Sequence, residues 1–352
     1  MASNHIVIQT PPEDIISSIQ FSPHPGSLKF LVASWDRNAY LYEIIPGNES
    51  QCRQVATFEH RAPVLDVCFG KDDTEIFTAG LDWDVRRINV TTSEQTVLST
   101  HNAGVRSVVF DQERGLLISA GWDCTLHIHN TSDASSIPAS IPLPSKPFSI
   151  SVSKTRLVVA MAARALHIYE LQSLSAALST ATTPPLTKVD IEPWQRRESS
   201  LKFMTRAVSC MPNDEAYASS SIEGRVAVEW FDPSKDAQAR NYAFKCHRQN
   251  VDGIDVVYPV HALAFHPTYG TFASGGGDGI VALWDAVAKR RIRQYQKYPS
   301  GIAALAFNTD GKYLVIGISP GFEDGKEEIT EGSIRIHVRE LGETEAKAKS
   351  TK

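Results

Sequence analysis

Apolar and polar residues alternate along this chain in short runs, and the runs return in a fixed order. An alternating segment ending in phenylalanine is followed by a loop, a small-residue segment, an acidic turn and another alternating segment. The first copy reads IISSIQF (15–21), LVASWD (31–36) and AYLYEI (39–44). The second reads PVLDVCF (63–69), IFTAGLD (76–82) and VRRINV (85–90), and the third GVRSVVF (104–110), LISAGWD (117–123) and LHIHN (126–130). A later copy as regular as these reads PVHALAF (259–265), FASGGGD (272–278) and VALWD (281–285). The last reads GIAALAF (301–307), YLVIGIS (313–319) and GSIRIHV (332–338). Two looser copies fill the gap: RLVVAMAARALHIYEL (156–171), then TRAVSCM (205–211) with YASSSIEGRVAVEWFDP (217–233). Alternation with period two puts every second side chain on one face, so each copy predicts antiparallel strands with a buried face.

The turn positions are Asp36, Asp82, Asp123, Ala163, Glu223, Asp278 and Glu331, seven in all, spaced 46, 41, 40, 60, 55 and 53 residues apart. A four-stranded blade of the WD-repeat kind takes about 40–45 residues, so the longer intervals carry loop insertions. The predicted fold is all-β, a seven-bladed WD-repeat β-propeller over residues 1–341, in which radial repetition leaves only short edges. HIVIQT (5–10) precedes the first copy and is expected to close the ring as the outer strand of the last blade. Residues 172–187, rich in Ser, Ala, Thr and Pro, predict a mobile insertion between blades four and five. Residues 321–331 (GFEDGKEEITE) predict a solvated acidic loop in blade seven. Residues 342–352 alternate in charge without apolar period and predict a disordered tail.

Composition narrows the function. A chain of 352 residues, 42% hydrophobic and 21% charged, can bury an ample core. Its net charge of −5 offers no bulk attraction to nucleic acid or an anionic membrane. The first ten residues lack the basic start and apolar core of a signal peptide. No stretch approaches the roughly 20 apolar residues of a membrane span. Cys52, Cys68, Cys124, Cys210 and Cys246 are odd in number, scattered and without a C-x-x-C pair. They read as reduced thiols on strands, with no metal site.

The repeated acids invite a catalytic reading that the repeat itself rejects. In a WD blade the turn aspartate bonds a histidine from the loop before the same blade, with a serine or threonine between them. His60, Thr78 and Asp82 fit this pattern, as do His101, Ser119 and Asp123, and His247, Ser274 and Asp278 with Trp284. Three Ser/Thr-His-Asp sets in three blades indicate buried structural hydrogen bonds. With no P-loop, metal-ligand spacing or nucleophile elbow, nothing points to an enzyme or a cofactor.

Blade five departs most from its siblings. Where they carry Ile16, Val64, Val105, Val260 and Ile302 it is aligned to carry Arg206, and two places after the turn it has Arg225. AFKCHR (243–248) adds Lys245. Arg206 starts strand A, Arg225 starts strand C and Lys245 ends strand D, so all three are expected at the top of one blade. Such a group suits a doubly charged phosphate on Ser or Thr, or else a structural ion pair with Glu223 or Glu198. QRRESSLK (195–202), with Arg197 and Lys202, extends the basic surface. Trp35, Trp83 and Trp122 beside the acidic turns read either as interface anchors on the top rim or as packing between blades.

QRRESSLKFMTR, SSIEGRVAVEWFDP and YAFKCHR, with PPEDIISSIQFSP (11–23) and YPVHALAFHPTYGTFASGGGDG (258–279), resemble the mitotic-checkpoint propeller of the budding-uninhibited-by-benomyl family. The resemblance covers nearly the whole chain and weakens in blade four and residues 172–187. It implies a non-catalytic spindle-checkpoint adaptor. Such a protein binds the GLEBS motif of a checkpoint kinase and of its kinase-like paralogue across the top face. It also binds phosphorylated MELT motifs of an outer-kinetochore scaffold. The family's phosphate-binding residues match Arg206, Arg225 and Lys245. Phe203-Met204 stands where the family usually has Tyr-Gln, which puts a neighbouring apolar contact in doubt. The resemblance also implies a monomeric propeller in the nucleus, at kinetochores in mitosis and partly in the cytoplasm, with no direct nucleic-acid or membrane partner. EGRVA and FKCHR are shared with the messenger-RNA export propeller, which binds a nucleoporin GLEBS motif. RRESSLK, PPED and the mild acidity look more like the checkpoint branch.

Overall fold

A computed structural model describes residues 5–47, 51–133, 135–321, 329–330 and 332–348. Seven sheets stand around an axis, each with four antiparallel strands, A innermost to D outermost, to which blade three adds a fifth, parallel one. Blade one runs Ile16–Phe21, Lys29–Ser34, Asn38–Ile45 and Gln51–Glu59. Blade five runs Thr205–Cys210, Ala216–Ser221, Arg225–Trp230 and Tyr242–Lys245. Blade seven takes strands A to C from Ile302–Phe307, Tyr313–Ile318 and Arg335–Glu340, and its strand D is His5–Val7. His5 pairs with Arg339 and Val7 with His337, so the N-terminal strand closes the ring as the sequence predicts.

The core lies between blades rather than at the axis. Phe30, Val32 and Tyr42 of blade one pack against Val315, Ile336 and Val338 of blade seven. Each strand A is bulged directly after its first residue, as the register shifts Val64/Asp66 and Val105/Ser107 illustrate. A bulge turns one side chain out of the ladder. The residues so placed are Ser17, Leu65, Arg106, Phe148, Arg206, His261 and Ala303, all at one mouth of the central channel.

Two loop expectations are corrected. Residues 172–187 do not form one irregular insertion. Leu171–Leu178 is a helix, α1, and Thr187–Lys188 adds a short parallel strand to Ala139–Pro142 of blade three. Leu171, Leu174 and Leu178 pack with Ile128, Ile141 and Leu157. Their spacing of three and four is helical, a signal hidden among small residues. A helix this short holds through tertiary packing rather than propensity. Leu174→Ala is therefore expected to lower the unfolding free energy by about 2–4 kcal/mol, against no more than about 0.5 for exposed Gln172→Ala. Equal urea midpoints for the two variants would refute the packing.

The C-terminal segment is also not a free tail as far as residue 348. Glu345 accepts hydrogen bonds from the Tyr295 hydroxyl at 2.8 Å and Arg339 Nε at 3.1 Å. The Ala346 carbonyl accepts from Thr271 Oγ1 at 2.7 Å, and Ala346 is buried. Alternating charge concealed one carboxylate with three fixed donors, the third being the Gly342 N–H at 3.2 Å. Residues 349–352, most of the acidic loop (322–328) and Glu331 lie outside the described residues.

Candidate functional site on the top face

The B–C turns and D–A connections share one rim, and there blade five gathers positive charge. Arg225 opens strand C and Lys245 closes strand D, and they are direct cross-strand partners. Adjacent strands lie about 4.8 Å apart, so the two side chains start side by side. Gly224 fixes this placement. Its φ is +65°, and a Cβ there would lie 2.8 Å from the carbonyl oxygens of Cys246 and His247. Only glycine lets the turn sit this close to the next connection.

Glu223 Oε1 stands 3.4 Å from Arg225 Nε, with the Arg225 side chain one-third exposed (33%). Lys245 is exposed and has no ion pair among the described residues. Glu198, the other carboxylate considered, pairs with Arg164 instead. A further cation, missed in the sequence, joins the pair: Arg248 Nη2 lies 3.4 Å from the Glu223 carbonyl. The run KCHR contains it just beyond strand D, but as a strand residue it gave no separate signal.

Arg206 is not level with Ile16 and Val64. Thr205 pairs with Ser221 as Val64 pairs with Gly80, and Cys210 with Tyr217 as Phe69 with Ile76. Cys210, not Met211, takes the phenylalanine register, which shifts Arg206 onto the bulge. It sits on strand A, two strands inward from Arg225, with Nη2 3.0 Å from His261 Nδ1 of the next blade. The three cations share the top of blade five but do not form one cluster. Arg225, Lys245 and Arg248 form an outer group, and Arg206 belongs to the channel mouth.

That mouth is a 480 Å³ cavity whose lining includes Trp35, Leu65, Arg106, Trp122, Arg206 and His261. Arg106, on the equivalent bulge of blade three, is a second arginine that comparison with blade five passed over. Burial lowers its pKa, and Asp66 nearby opposes this in part. Its guanidinium makes no hydrogen bond or ion pair among the described residues. Lys146 Nζ stands 5.8 Å from the Trp122 ring centroid. Trp35 and Trp122 thus line the cavity, whereas Trp83 is exposed on the rim outside it. Arg197 does not face the top. Its Nη2 donates to the Phe231 carbonyl at 2.9 Å, and its guanidinium lies 5.9 Å from the Tyr217 ring centroid. Lys202 is exposed on the loop before blade five.

The histidine sets are structural and differ between blades. In blade six His247 Nδ1 lies 2.9 Å from Asp278 Oδ1 and Nε2 2.8 Å from Ser274 Oγ, while Trp284 Nε1 donates to the same oxygen at 2.8 Å. In blade three His101 lies 3.1 Å from Asp123 Oδ1 and 3.0 Å from Ser119 Oγ. In blade two His60 keeps Thr78 at 2.8 Å, but its other nitrogen faces the Phe58 carbonyl at 3.0 Å. Asp82 is taken instead by Arg86, whose Nη2 stands 2.9 Å away. The arginine supplies a stronger, charged donor than the imidazole. Ligand atoms of His101, Asp123 and His127 come within 4.8 Å of one another. Both His101 nitrogens are engaged by Asp123 and Ser119, and His127 Nδ1 by Ser99, so the group serves as a hydrogen-bond network.

The WD domain, G-beta repeat family matches residues 52–87, 92–130 and 242–285. The chain is 42% identical to mitotic checkpoint protein BUB3.1 of Arabidopsis thaliana, covering 97% of this chain and 94% of that one. It is 35% identical to mitotic checkpoint protein bub3 of Dictyostelium discoideum over 95% of both chains. The chain belongs to the Bub3 family of mitotic checkpoint proteins. An mRNA export factor, GLE2 of Chaetomium thermophilum, is more distant at 30% identity, over 92% of this chain and 86% of that one.

This Bub3-family propeller also stores acid sensitivity away from its top face. Burial, with His101 and His129 nearby, holds His127 down to about 3. Burial, with His101 nearby, holds His129 at about 4. Ser99 Oγ bridges the two rings at 2.9 and 3.0 Å. The fold favours neutral rings, while an unfolded histidine titrates near 6.5. Their contribution is complete above about pH 6.5 and is lost as pH falls through that value toward 4. Unfolding free energy at pH 5 should be roughly 2–4 kcal/mol below that at pH 7.5, with much of the difference removed by His127→Gln with His129→Gln. Equal urea midpoints at both pH values would overturn the neutral-ring assignment.

Proposed function

We propose that this chain is a non-enzymatic spindle assembly checkpoint adaptor that recruits checkpoint proteins to kinetochores. It takes the GLEBS motifs of a checkpoint kinase and its kinase-like paralogue across the top face, and it reads phosphorylated MELT motifs of a kinetochore scaffold. The observation that carries this reading is the cross-strand pair Arg225–Lys245, with Arg248 beside it and Glu223 as the one carboxylate in contact among the described residues. Arginine supplies paired N–H donors and lysine a mobile point charge, a combination matched to a dianionic phosphate. The channel mouth supports the GLEBS part of the reading. Arg106 and Arg206 beside Trp35 and Trp122 suit a motif bringing carboxylates and apolar side chains together.

In this reading the protein resides in the nucleus, at kinetochores in mitosis, with some in the cytoplasm. No cofactor enters this reading, and the propeller acts as a monomer. The messenger-RNA export reading, with a nucleoporin GLEBS partner, is the alternative, favoured only by the more distant relative. The test is calorimetry of the protein bound to a GLEBS peptide, titrated with a phosphothreonine MELT peptide and with its unphosphorylated twin. Binding of the phosphopeptide alone supports the checkpoint reading. Equal binding, or none, would transfer support to the export branch.

A further inference from the structure

The outer strand of blade six, Arg290–Gln294, has no neighbour beyond it among the described residues. It lies in the run KRRIRQYQK (289–297), which holds Lys289, Arg290, Arg291, Arg293 and Lys297 and no acid, in a chain of net charge −5. All five cations are exposed. The other outer strands are built differently. Those of blades two, three and seven contain no lysine or arginine, and that of blade five contains Lys245 alone. In blade one Glu43 holds Arg53, and in blade four Glu192 takes Arg196. In blade six Arg291 Nη1 donates to Gln294 at 2.7 Å, and Lys289 Nζ stands 4.8 Å from the Tyr242 ring centroid. Neither of them, nor Lys297, meets a carboxylate among the described residues.

A charged edge discourages pairing between like copies, because cations would meet cations. The same edge attracts a strand of opposite charge. Two features of the molecule point to the anion it takes. A carboxylate is already seated at one end of the run. Glu345 Oε1 accepts from the Tyr295 hydroxyl at 2.8 Å and from Arg339 Nε at 3.1 Å, and Arg293 Nη1 stands 3.7 Å from it. The propeller also admits a fifth strand outside strand D, as Thr187–Lys188 shows against Ala139–Pro142 in blade three. Single-stranded nucleic acid is less suited, since it needs open aromatic rings for stacking, and Tyr295 and Tyr298 are buried.

We infer that the outer edge of blade six docks an extended acidic segment of a partner protein, which adds to it as a fifth strand. Backbone groups of Arg290–Gln294 hold the segment, and the arginines face its carboxylates. Arg291 is the cross-strand partner of Trp284, which packs toward blade five, and Arg293 that of Leu283, which packs toward blade seven. Cations therefore flank the edge on both sides. Side chains of an added strand alternate between those sides, so consecutive acids match this edge better than alternating ones. The surface is independent of the phosphomotif reading above.

The test is fluorescence anisotropy at low salt with a labelled octaglutamate, its octaglutamine twin, and an octaglutamate methylated at every backbone nitrogen. The proteins are the wild-type chain and the double variant Arg291→Glu with Lys297→Glu. Both side chains are exposed and outside any ion pair among the described residues, so the variant keeps the wild-type melting temperature. Octaglutamate should bind the wild type, and octaglutamine should not. The double charge reversal should weaken octaglutamate by about tenfold or more, and backbone methylation by about fivefold or more. Wild-type affinity in the variant, or no binding of octaglutamate, would overturn the docking edge. Equal binding of the methylated peptide would overturn strand addition. Duplex DNA binding more tightly than octaglutamate, and losing that affinity in the same variant, would assign the edge to nucleic acid instead.

Discussion

Replacing Arg225 and Lys245 together by alanine is expected to weaken binding of a MELT phosphopeptide by about a hundredfold or more. Each hydrogen bond to a charged group contributes about 1.5–3 kcal/mol, and each 1.4 kcal/mol is a factor of ten. Neither side chain fills the space between blades, so the melting temperature should stay within a degree or two of wild type. Arg206→Ala separates the observed geometry from a three-residue phosphate site. Arg206 sits on the bulge against His261, two strands inward from Arg225. Its removal should reduce phosphopeptide affinity less than loss of Arg225 or Lys245 alone, and GLEBS affinity more. Calorimetry with the two ligands separately gives the answer. A loss of phosphopeptide binding for Arg206→Ala as large as for Arg225→Ala would place all three cations on one phosphate.

The largest effect on folding is expected at Asp278. Its carboxylate is almost fully buried against His247, which in turn holds Ser274 and the Trp284 indole. Removing one partner of such a set leaves buried polar atoms without compensation, which costs about 3–5 kcal/mol. Asp278→Ala should lose that much in a urea unfolding experiment, and Asp278→Asn, which keeps a hydrogen-bonding oxygen, clearly less. Asp82→Ala in blade two serves as the comparison. His60 there is already satisfied by Thr78 and Phe58, and Arg86 keeps Asp84 at 2.6 Å. Its cost should be about 1–2 kcal/mol. Equal losses at the two aspartates would mean that the difference in hydrogen bonding between the blades is without energetic weight.

The propeller was legible because its strands repeat one phase, and a period of two leaves little freedom in which residues face inward. The closing strand followed from an unpaired alternating run, HIVIQT, ahead of the first copy. Blade five was misread by a single residue. The usual strand-ending phenylalanine is absent there, and Met211 is the more obvious substitute for it than Cys210. That slip moved Arg206 from the bulge to the ladder and made three cations look like one group. Helix α1 was lost because three leucines at helical spacing lie in a run of small residues. The two-stranded ribbon of Arg248–Val251 and Ile254–Val257, between blades five and six, had a readable signal, Asp252-Gly253 between short alternating runs, but it interrupts the repeat and was absorbed into a loop. Arg106 was invisible for a different reason. Its sequence position is ordinary, and only the bulge turns it into the channel.

Ring closure by His5–Val7 also has a consequence for how the protein is made. Of the propeller's strands, His5–Val7 is made first and its partner, Arg335–Glu340, last. At about 5–20 residues per second the wait is roughly 20–70 s. Throughout it the nascent chain is an open arc. One side of blade one, later covered by Val315, Ile336 and Val338, stays bare until the final blade arrives. In that interval the exposed flank is a natural client for chaperones that shield apolar strands.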